Sequence, residues 1–256
     1  MIDRGVGVRG GLALVALVMT SMALAAPASA QIPEEFTNLK VLPEDIRQRE
    51  LIGIMRGYTR ALGVRCSTCH VGEESQDLSE YDFASDDEAT KRTAREMIEM
   101  VQSINENVIA TLADRGSPEI EVTCVTCHAG RRRPTTLVQE LTWAAEEGGS
   151  EATIARYHEL RERYYGVGAF NFGPRALDDV ANSLLRGDDF PGALAAVELN
   201  LELHPESANS WSLKGQIHMR AEQTNEAIAA LERSLGIQPR NPRVQQVLDR
   251  LKGGGA

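Results

Sequence analysis

Apolar residues recur at helical spacing in two stretches of the first half of the chain. The first stretch has its apolar face at Leu51, Met55, Tyr58 and Leu62. This spacing predicts an amphipathic helix. Pro43 suits an early helical position, and Gly63 suits a left-handed cap. We therefore expect a helix that begins after Pro43 and ends at Leu62.

The second stretch predicts a longer helix over about residues 88–112. Its apolar stripe consists of Ala94, Met97, Val101, Ile104, Val108 and Leu112. Met97 lies at the centre of this stripe, and Met100 lies one step off it. The segment between the two helices, residues 73–88, is rich in aspartate and glutamate. Such a segment is either a solvated loop or a docking surface for a basic partner.

The C-terminal part repeats itself with a period of 34 residues, because residues 193–198 (ALAAVE) align with residues 227–232 (AIAALE). This helical period resembles the tetratricopeptide repeat. The positions that match its pattern are Trp211, Gly215, Ala227, Leu231 and Pro239, whereas Lys214 and His218 depart from it. The resemblance implies a short α-solenoid that could dock a protein partner.

The repeats divide the expected all-α chain into parts. Two repeats span about residues 174–207 and 208–241, a closing helix spans 242–252, and a helix over 151–165 caps the other end. Residues 146–150 (EEGGS) are a natural linker. We therefore predict a small helical domain over residues 31–145 and the repeats over residues 150–252.

The first 30 residues have the pattern of a secretory signal. Arg4 and Arg9 precede an apolar run over residues 12–26, and small residues at 28–30 form a cleavage site. This pattern predicts export to the periplasm, although an uncleaved anchor remains an alternative. No later stretch has the roughly 20 apolar residues of a spanning helix, so we expect no transmembrane span in the mature chain.

The chain is acidic, with a formal net charge of −10. This balance argues against nucleic-acid binding. It favours a partner with a basic docking face.

The four cysteines lie in two C-x-x-C-H motifs, at residues 66–70 (CSTCH) and 124–128 (CVTCH). Two small disulfides or a zinc site would account for the cysteines but not for the adjacent histidines. C-x-x-C-H is the attachment motif of haem c. It predicts two covalently bound haems, with thioether bonds at Cys66, Cys69, Cys124 and Cys127 and proximal iron ligands at His70 and His128.

Methionines are the most numerous candidate ligands for the opposite face of each iron. Met55 precedes the first motif on an apolar helix face, and Met97 competes with Met100 for the second haem. The position of Met97 in the stripe favours it. A methionine at helical spacing is often core filler instead. His158 is the one remaining histidine that we keep as an outside candidate.

Three segments carry a family resemblance: residues 51–55 (LIGIM), 95–105 (REMIEMVQSIN) and 122–130 (VTCVTCHAG). Residues 42–134 look like one half of the tetrahaem cytochrome subunit of purple-bacterial photosynthetic reaction centres. In that family a methionine from the helix before each motif binds iron, which implies this role for Met55 and Met97. The chain departs from the family in having one half only and in carrying the repeats.

These patterns predict an electron-transfer protein and not an enzyme. Ligands on both sides of each iron leave no open position for substrate. The alternative is a dihaem peroxidase, which would need an open iron with acid or base side chains nearby. Residues 131–133 (RRR) follow the second motif, where they could pair with haem propionates or form a solvated basic loop.

Overall fold

The structure, a computed structural model, describes residues 35–253. The predicted signal sequence over residues 1–30 lies outside the described residues. The helices are, in chain order, α1 (Gln48–Leu62), α2 (Ala89–Asn107), α3 (Cys124–His128), α4 (Leu137–Tyr164), α5 (Ala176–Arg186), α6 (Phe190–Leu203), α7 (Ala208–Arg220), α8 (Thr224–Ile237) and α9 (Pro242–Lys252). Residues 35–253 contain no strand beyond one isolated bridge between Val71 and Asp82. The predicted all-α class is confirmed.

The ends of α1 and α2 agree in part with the sequence pattern. α1 ends at Leu62, and Gly63 is its left-handed cap with φ of 64°. It begins at Gln48, later than the position of Pro43 suggested. α2 ends at Asn107, because the chain leaves helical geometry at Val108 (φ −118°, ψ −62°) before the apolar stripe is complete. A 3₁₀ turn over Ile109–Thr111 follows.

α4 contains a sharp bend within the predicted linker. Gly148 has φ of −149° and ψ of 18°, and Gly149 has φ of 66° and ψ of −155°, so the helix is interrupted at both glycines. The segment before the bend packs with the C-terminal helices, since Leu137 and Leu141 belong to the same buried cluster as residues of α5 and α6. The division into residues 31–145 and 150–252 stays a prediction.

Each of the C-terminal helices packs on its neighbours in the chain, and α4 packs on α6 as well as on α5. Gly215 allows α7 to lie close to α8, because a Cβ at this position would approach the Leu231 side chain to 2.7 Å. α9 coincides with the predicted closing helix. Its Val244 and Leu248 pack on Leu231 in a second small cluster.

Buried apolar side chains are distributed unevenly along the described residues. Between residues 35 and 134 they are Leu51, Ala61 and Tyr81, and all others lie from Leu137 onward. The N-terminal part instead exposes large apolar side chains at Met97, Met100, Val108, Leu112, Ile120 and Val125. Its own side chains therefore form little of a core. Within residues 35–253, no helix has the length and apolar content needed to cross a bilayer.

Candidate haem-binding site

The first C-x-x-C-H motif forms a tight turn against the start of α2. Its residues Cys66–Thr68 make a 3₁₀ turn, and the amide of His70 donates to the Cys66 carbonyl oxygen at 3.0 Å. The hydroxyl of Thr90, in the first turn of α2, donates to the Thr68 carbonyl oxygen. Burial raises the pKa of the Cys69 thiol, and a hydrogen bond with Thr90 opposes this shift. α2 therefore begins directly on the first motif.

The imidazole of His70 is held among apolar and basic neighbours. Its ring lies edge-on to Phe83, with 5.0 Å between the ring centroids. Nδ1 is buried and has no hydrogen-bond partner within residues 35–253. Burial lowers the pKa of His70, and the nearby charge of Lys91 lowers it further. Both effects favour the neutral imidazole, which is the form that binds a metal ion.

A buried lysine fixes the segment that lies beside His70. Lys91 Nζ donates to the carbonyl oxygens of Phe83, Ala84 and Ser85 at 2.9, 3.0 and 2.6 Å. It also lies 3.3 Å from Asp86 Oδ1. Sequence reasoning did not foresee this role, because a lysine in the first turn of an amphipathic helix is usually solvated.

Asp86 also contacts basic side chains and is not part of an open acidic surface. Its carboxylate contacts Lys40 at 2.6 Å and Arg95 at 2.8 Å, besides Lys91. These three cations hold the pKa of Asp86 well below its usual range, Arg95 contributing most. Other acidic residues of the segment, among them Glu73 and Glu80, are exposed.

The second motif forms the short helix α3. The amide of Thr123 donates to Thr126 Oγ1 at 3.0 Å, which closes the first turn. Ala129 then adopts the left-handed conformation with φ of 48°, so the chain turns sharply after His128.

His128 has a defined second hydrogen bond. Its Nδ1 lies 2.9 Å from the carbonyl oxygen of Arg131, while the Arg131 amide donates to the His128 carbonyl oxygen at 2.9 Å. Because a carbonyl oxygen can only accept, Nδ1 carries the proton and Nε2 presents its lone pair. A carbonyl partner on one ring nitrogen is the arrangement that orients a metal-binding histidine.

Two other elements position the second motif. Gly130 donates its amide to the Ala61 carbonyl oxygen at 2.8 Å, and a Cβ on Gly63 would lie 2.1 Å from the Gly130 carbonyl oxygen. The end of α1 is thus in close backbone contact with the turn after α3. From α2, the side chain of Asn105 forms two hydrogen bonds with the backbone of Val122, just before the motif.

The helices α1 and α2 therefore both contact the region of the second motif, and α2 also contacts the first motif. α1 precedes the first motif in sequence but packs on α3. α2 begins on the first motif and reaches the second through Asn105. Met55 on α1 is half-buried, whereas Met97 and Met100 on α2 are 40% and 45% exposed. The pairing of each methionine with one iron stays a prediction.

The histidines outside the motifs and two of the three consecutive arginines lie in or contact the C-terminal part of the chain. His158, His204 and His218 are all in the C-terminal part, where His158 packs edge-on to Tyr157 and His218 Nδ1 lies 2.7 Å from Gln223 Oε1. Of the three consecutive arginines, Arg131 stacks on Phe170 at 4.2 Å and Arg133 on Trp143 at 5.1 Å. Sequence reasoning did not foresee these two aromatic partners.

An all-helical chain that presents two C-x-x-C-H turns beside methionine-bearing helices has the arrangement of a c-type cytochrome. A model of the family described as "Photosynthetic reaction centre cytochrome C subunit" matches residues 14–165, more than half of the chain. The chain belongs to this family, whose members are haem c proteins that carry electrons.

One solved structure that this chain matches is described as the first TPR of Spaghetti (RPAP3) bound to the HSP90 peptide SRMEEVD. It is 19% identical, with a TM-score of 0.33, and the match covers 46% of this chain and 88% of that chain.

The residues present fit a haem c group. Each motif offers two unpaired thiols, and the described cysteines are free. His128 presents Nε2, and His70 is half-buried with a lowered pKa, which favours the neutral imidazole. The apolar side chains exposed on α2 and around the second motif could cover a large flat macrocycle, for which the N-terminal part supplies little protein core.

Proposed function

We propose that this protein is a periplasmic electron carrier that holds two covalently attached haems. The proposal rests mainly on the hydrogen bond from His128 Nδ1 to the Arg131 carbonyl oxygen, which leaves Nε2 as a ligand directly after two thiols. Membership in the cytochrome family supports the same conclusion.

The site residues have distinct roles in this proposal. Cys66, Cys69, Cys124 and Cys127 form the thioether bonds, and His70 and His128 bind the irons from one side. Met55 and Met97, with Met100 as the alternative to Met97, bind from the other side. Haem held in this way supplies one-electron exchange at iron. The protein supplies the ligands, the apolar cover and the exclusion of substrate from the metal.

Mass spectrometry and an optical redox titration of the exported chain test the proposal together. The wild-type chain should carry the added mass of two haems and show two one-electron transitions. Replacing Cys66 and Cys69 with serine should remove one haem, and replacing Cys124 and Cys127 should remove the other. A wild-type chain with no added mass would refute the proposal.

Carbon monoxide distinguishes a carrier from a peroxidase. Six-coordinate irons in the wild-type protein should bind carbon monoxide weakly, because both axial positions are filled. Strong binding by the unaltered protein would favour the peroxidase alternative instead.

The proposed partner is a redox protein with a basic docking face, attracted by the exposed acids of residues 73–80. Glu73 and Glu80 are exposed, and their side chains form no ion pair among the described residues. The variant with both changed to glutamine should associate about twofold to fivefold more slowly with a small basic electron-transfer protein at low ionic strength. Glu162→Gln, an exposed change on α4, is the control and should leave this rate unchanged.

We further propose that the C-terminal helices dock a second protein, as tetratricopeptide-like repeats do. The probe is a variant in which three surface residues of α7 and α8 are changed and the buried clusters stay intact. This variant should reduce recovery of a partner from periplasmic extract while leaving the haem spectra unchanged. Unchanged recovery would restrict these helices to a stabilising role.

A further inference from the structure

The side chain of Arg131 lies between the second motif and the C-terminal helices. Its carbonyl oxygen accepts a hydrogen bond from His128 Nδ1 at 2.9 Å. Its guanidinium lies over the ring of Phe170 at 4.2 Å. One residue therefore contacts the proposed iron ligand through its backbone and the C-terminal part through its side chain.

The position of the guanidinium is fixed by more than the ring contact. Arg131 donates to the carbonyl oxygen of Thr135 and lies 3.3 Å from Thr135 Oγ1. The buried Thr135 in turn donates to Glu140 Oε1 at 2.7 Å. Glu140 is bound by Arg156 Nε at 3.2 Å, across the bend in α4. This chain of hydrogen bonds anchors Arg131 to both segments of α4.

The ring of Phe170 packs among other aromatic rings. It packs edge-on to Tyr164 and Phe172, with centroid distances of 5.4 and 6.0 Å. Phe172 packs in the same way on the buried Tyr157. The ring beneath the guanidinium thus belongs to the aromatic cluster of the C-terminal part.

Within residues 35–253, His70 has no contact with the helices from Leu137 onward that matches the stack of Arg131 on Phe170. The neighbours of His70 are Phe83 and Lys91, both in the N-terminal part. A change at Phe170 should therefore reach one haem and leave the other as an internal reference.

We propose that Arg131 is a positioning residue through which Phe170 and the C-terminal helices fix the orientation of His128 and so set the reduction potential of the second haem. This inference rests on the proposed function. A carbonyl partner makes an imidazole a stronger donor, which favours the oxidised iron. A weaker hydrogen bond from His128 Nδ1 to the Arg131 carbonyl oxygen should therefore raise the reduction potential of the second haem.

The test is a redox titration of the full-length protein that resolves both haems. Phe170→Leu should change the oxidised-to-reduced ratio of the second haem about tenfold at fixed ambient potential, a rise of about 59 mV for a one-electron couple. The first haem should change by less than about twofold by the same measure. Arg131→Lys, which loses the planar stack and fork, should act like Phe170→Leu.

Two further variants separate positioning from general structure. Phe170→Tyr keeps the ring and should titrate like the wild-type protein. Trp143→Leu removes the matching stack under Arg133, whose carbonyl does not accept from His128, and should leave both potentials unchanged. Exchange of the His128 Nδ1 proton, followed by NMR, should be about tenfold faster in Phe170→Leu and unaltered in Trp143→Leu.

The inference would be overturned if the reduction potentials of both haems shifted equally. It would also be overturned if Phe170→Leu, or Arg131→Lys, left the potential of the second haem unchanged. Absence of haem from the wild-type chain would instead overturn the proposed function, so the two failures are distinguishable.

Discussion

The side-chain amide of Asn105 pairs with both backbone polar groups of Val122, donating from Nδ2 to the carbonyl oxygen at 2.8 Å and accepting from the amide nitrogen at 2.9 Å. This pair fastens the last turns of α2 to the segment that enters the second motif. No other residue type of similar size offers a donor and an acceptor in this geometry.

Replacing Asn105 with alanine should therefore destabilise the haem-bound protein by about 1–3 kcal/mol, since both backbone groups of Val122 lose their partners. Urea denaturation followed by far-UV circular dichroism measures this change. Asn107→Ala is the control, because Asn107 bonds to Ser103 on an exposed face. It should change stability by less than about 0.5 kcal/mol. Equal effects of the two variants would contradict the prediction.

Gly63→Ala should destabilise the protein by at least about 2 kcal/mol, because alanine is strained at φ of 64° and its Cβ would collide with the Gly130 carbonyl oxygen. Thermal unfolding of the haem-bound protein is the measurement. Gly53→Ala, within α1 and with no atom within 4 Å of the new Cβ, should stabilise by about 0.5–1 kcal/mol. A tolerated Gly63→Ala would show that the end of α1 and the turn after α3 are not in close contact.

Asp86 should make the N-terminal part sensitive to acid. Its pKa is lowered by Arg95, Lys40 and Lys91, so its contribution is complete above the pKa of the unfolded carboxyl and is lost as the pH falls toward the lower folded pKa. The urea midpoint of the wild-type protein should fall more steeply below about pH 4 than that of Asp86→Asn. Glu96→Gln, an exposed change on α2, should keep the wild-type slope.

The distal methionines can be tested one at a time. Met55→Ala and Met97→Ala should each open a single iron, detected as new carbon monoxide binding equal to one haem per chain. Met219→Ala, which changes a partly exposed methionine of α7, is the control and should bind none. New binding in Met100→Ala but not in Met97→Ala would assign the second iron to Met100.

Asn200 supports the C-terminal helices through a buried polar network. Its Nδ2 lies 2.9 Å from each of the Pro174 carbonyl oxygen, Asp178 Oδ1 and Ser210 Oγ. Asn200→Ala should cost about 2–3 kcal/mol, because the buried carboxylate of Asp178 loses a donor. Asn225→Ala, an exposed change within α8, should be neutral or slightly stabilising in the same urea experiment.

Local signals made parts of the fold predictable. A glycine cap marked the end of α1, and prolines marked the repeats and the start of α9, because these residues restrict the backbone wherever they occur. The end of α2 was not predictable in this way. Its apolar stripe continues past Asn107, and periodicity does not register where tertiary contacts end a helix.

Partners distant in sequence were beyond local reasoning. Lys40 and Asp86 are 46 residues apart, so sequence reasoning saw the acidic segment as a solvated loop or a docking surface and not that Asp86 is held by three cations. The stack of Arg131 on Phe170 was hidden for the same reason. The motifs themselves were evident, since their chemistry lies in adjacent residues. Their iron ligands stay predictions until the variants above are measured.

The uneven distribution of buried side chains has a consequence for biosynthesis. The helices from Leu137 onward carry their own apolar clusters, so we expect them to fold without a cofactor. Residues 35–134 bury few apolar side chains of their own, so under the proposed function they would fold fully only when haem is attached. Cells starved of haem should therefore accumulate a protease-trimmed fragment whose new N-terminus lies near residue 130, a direct record of which half of the chain matures first.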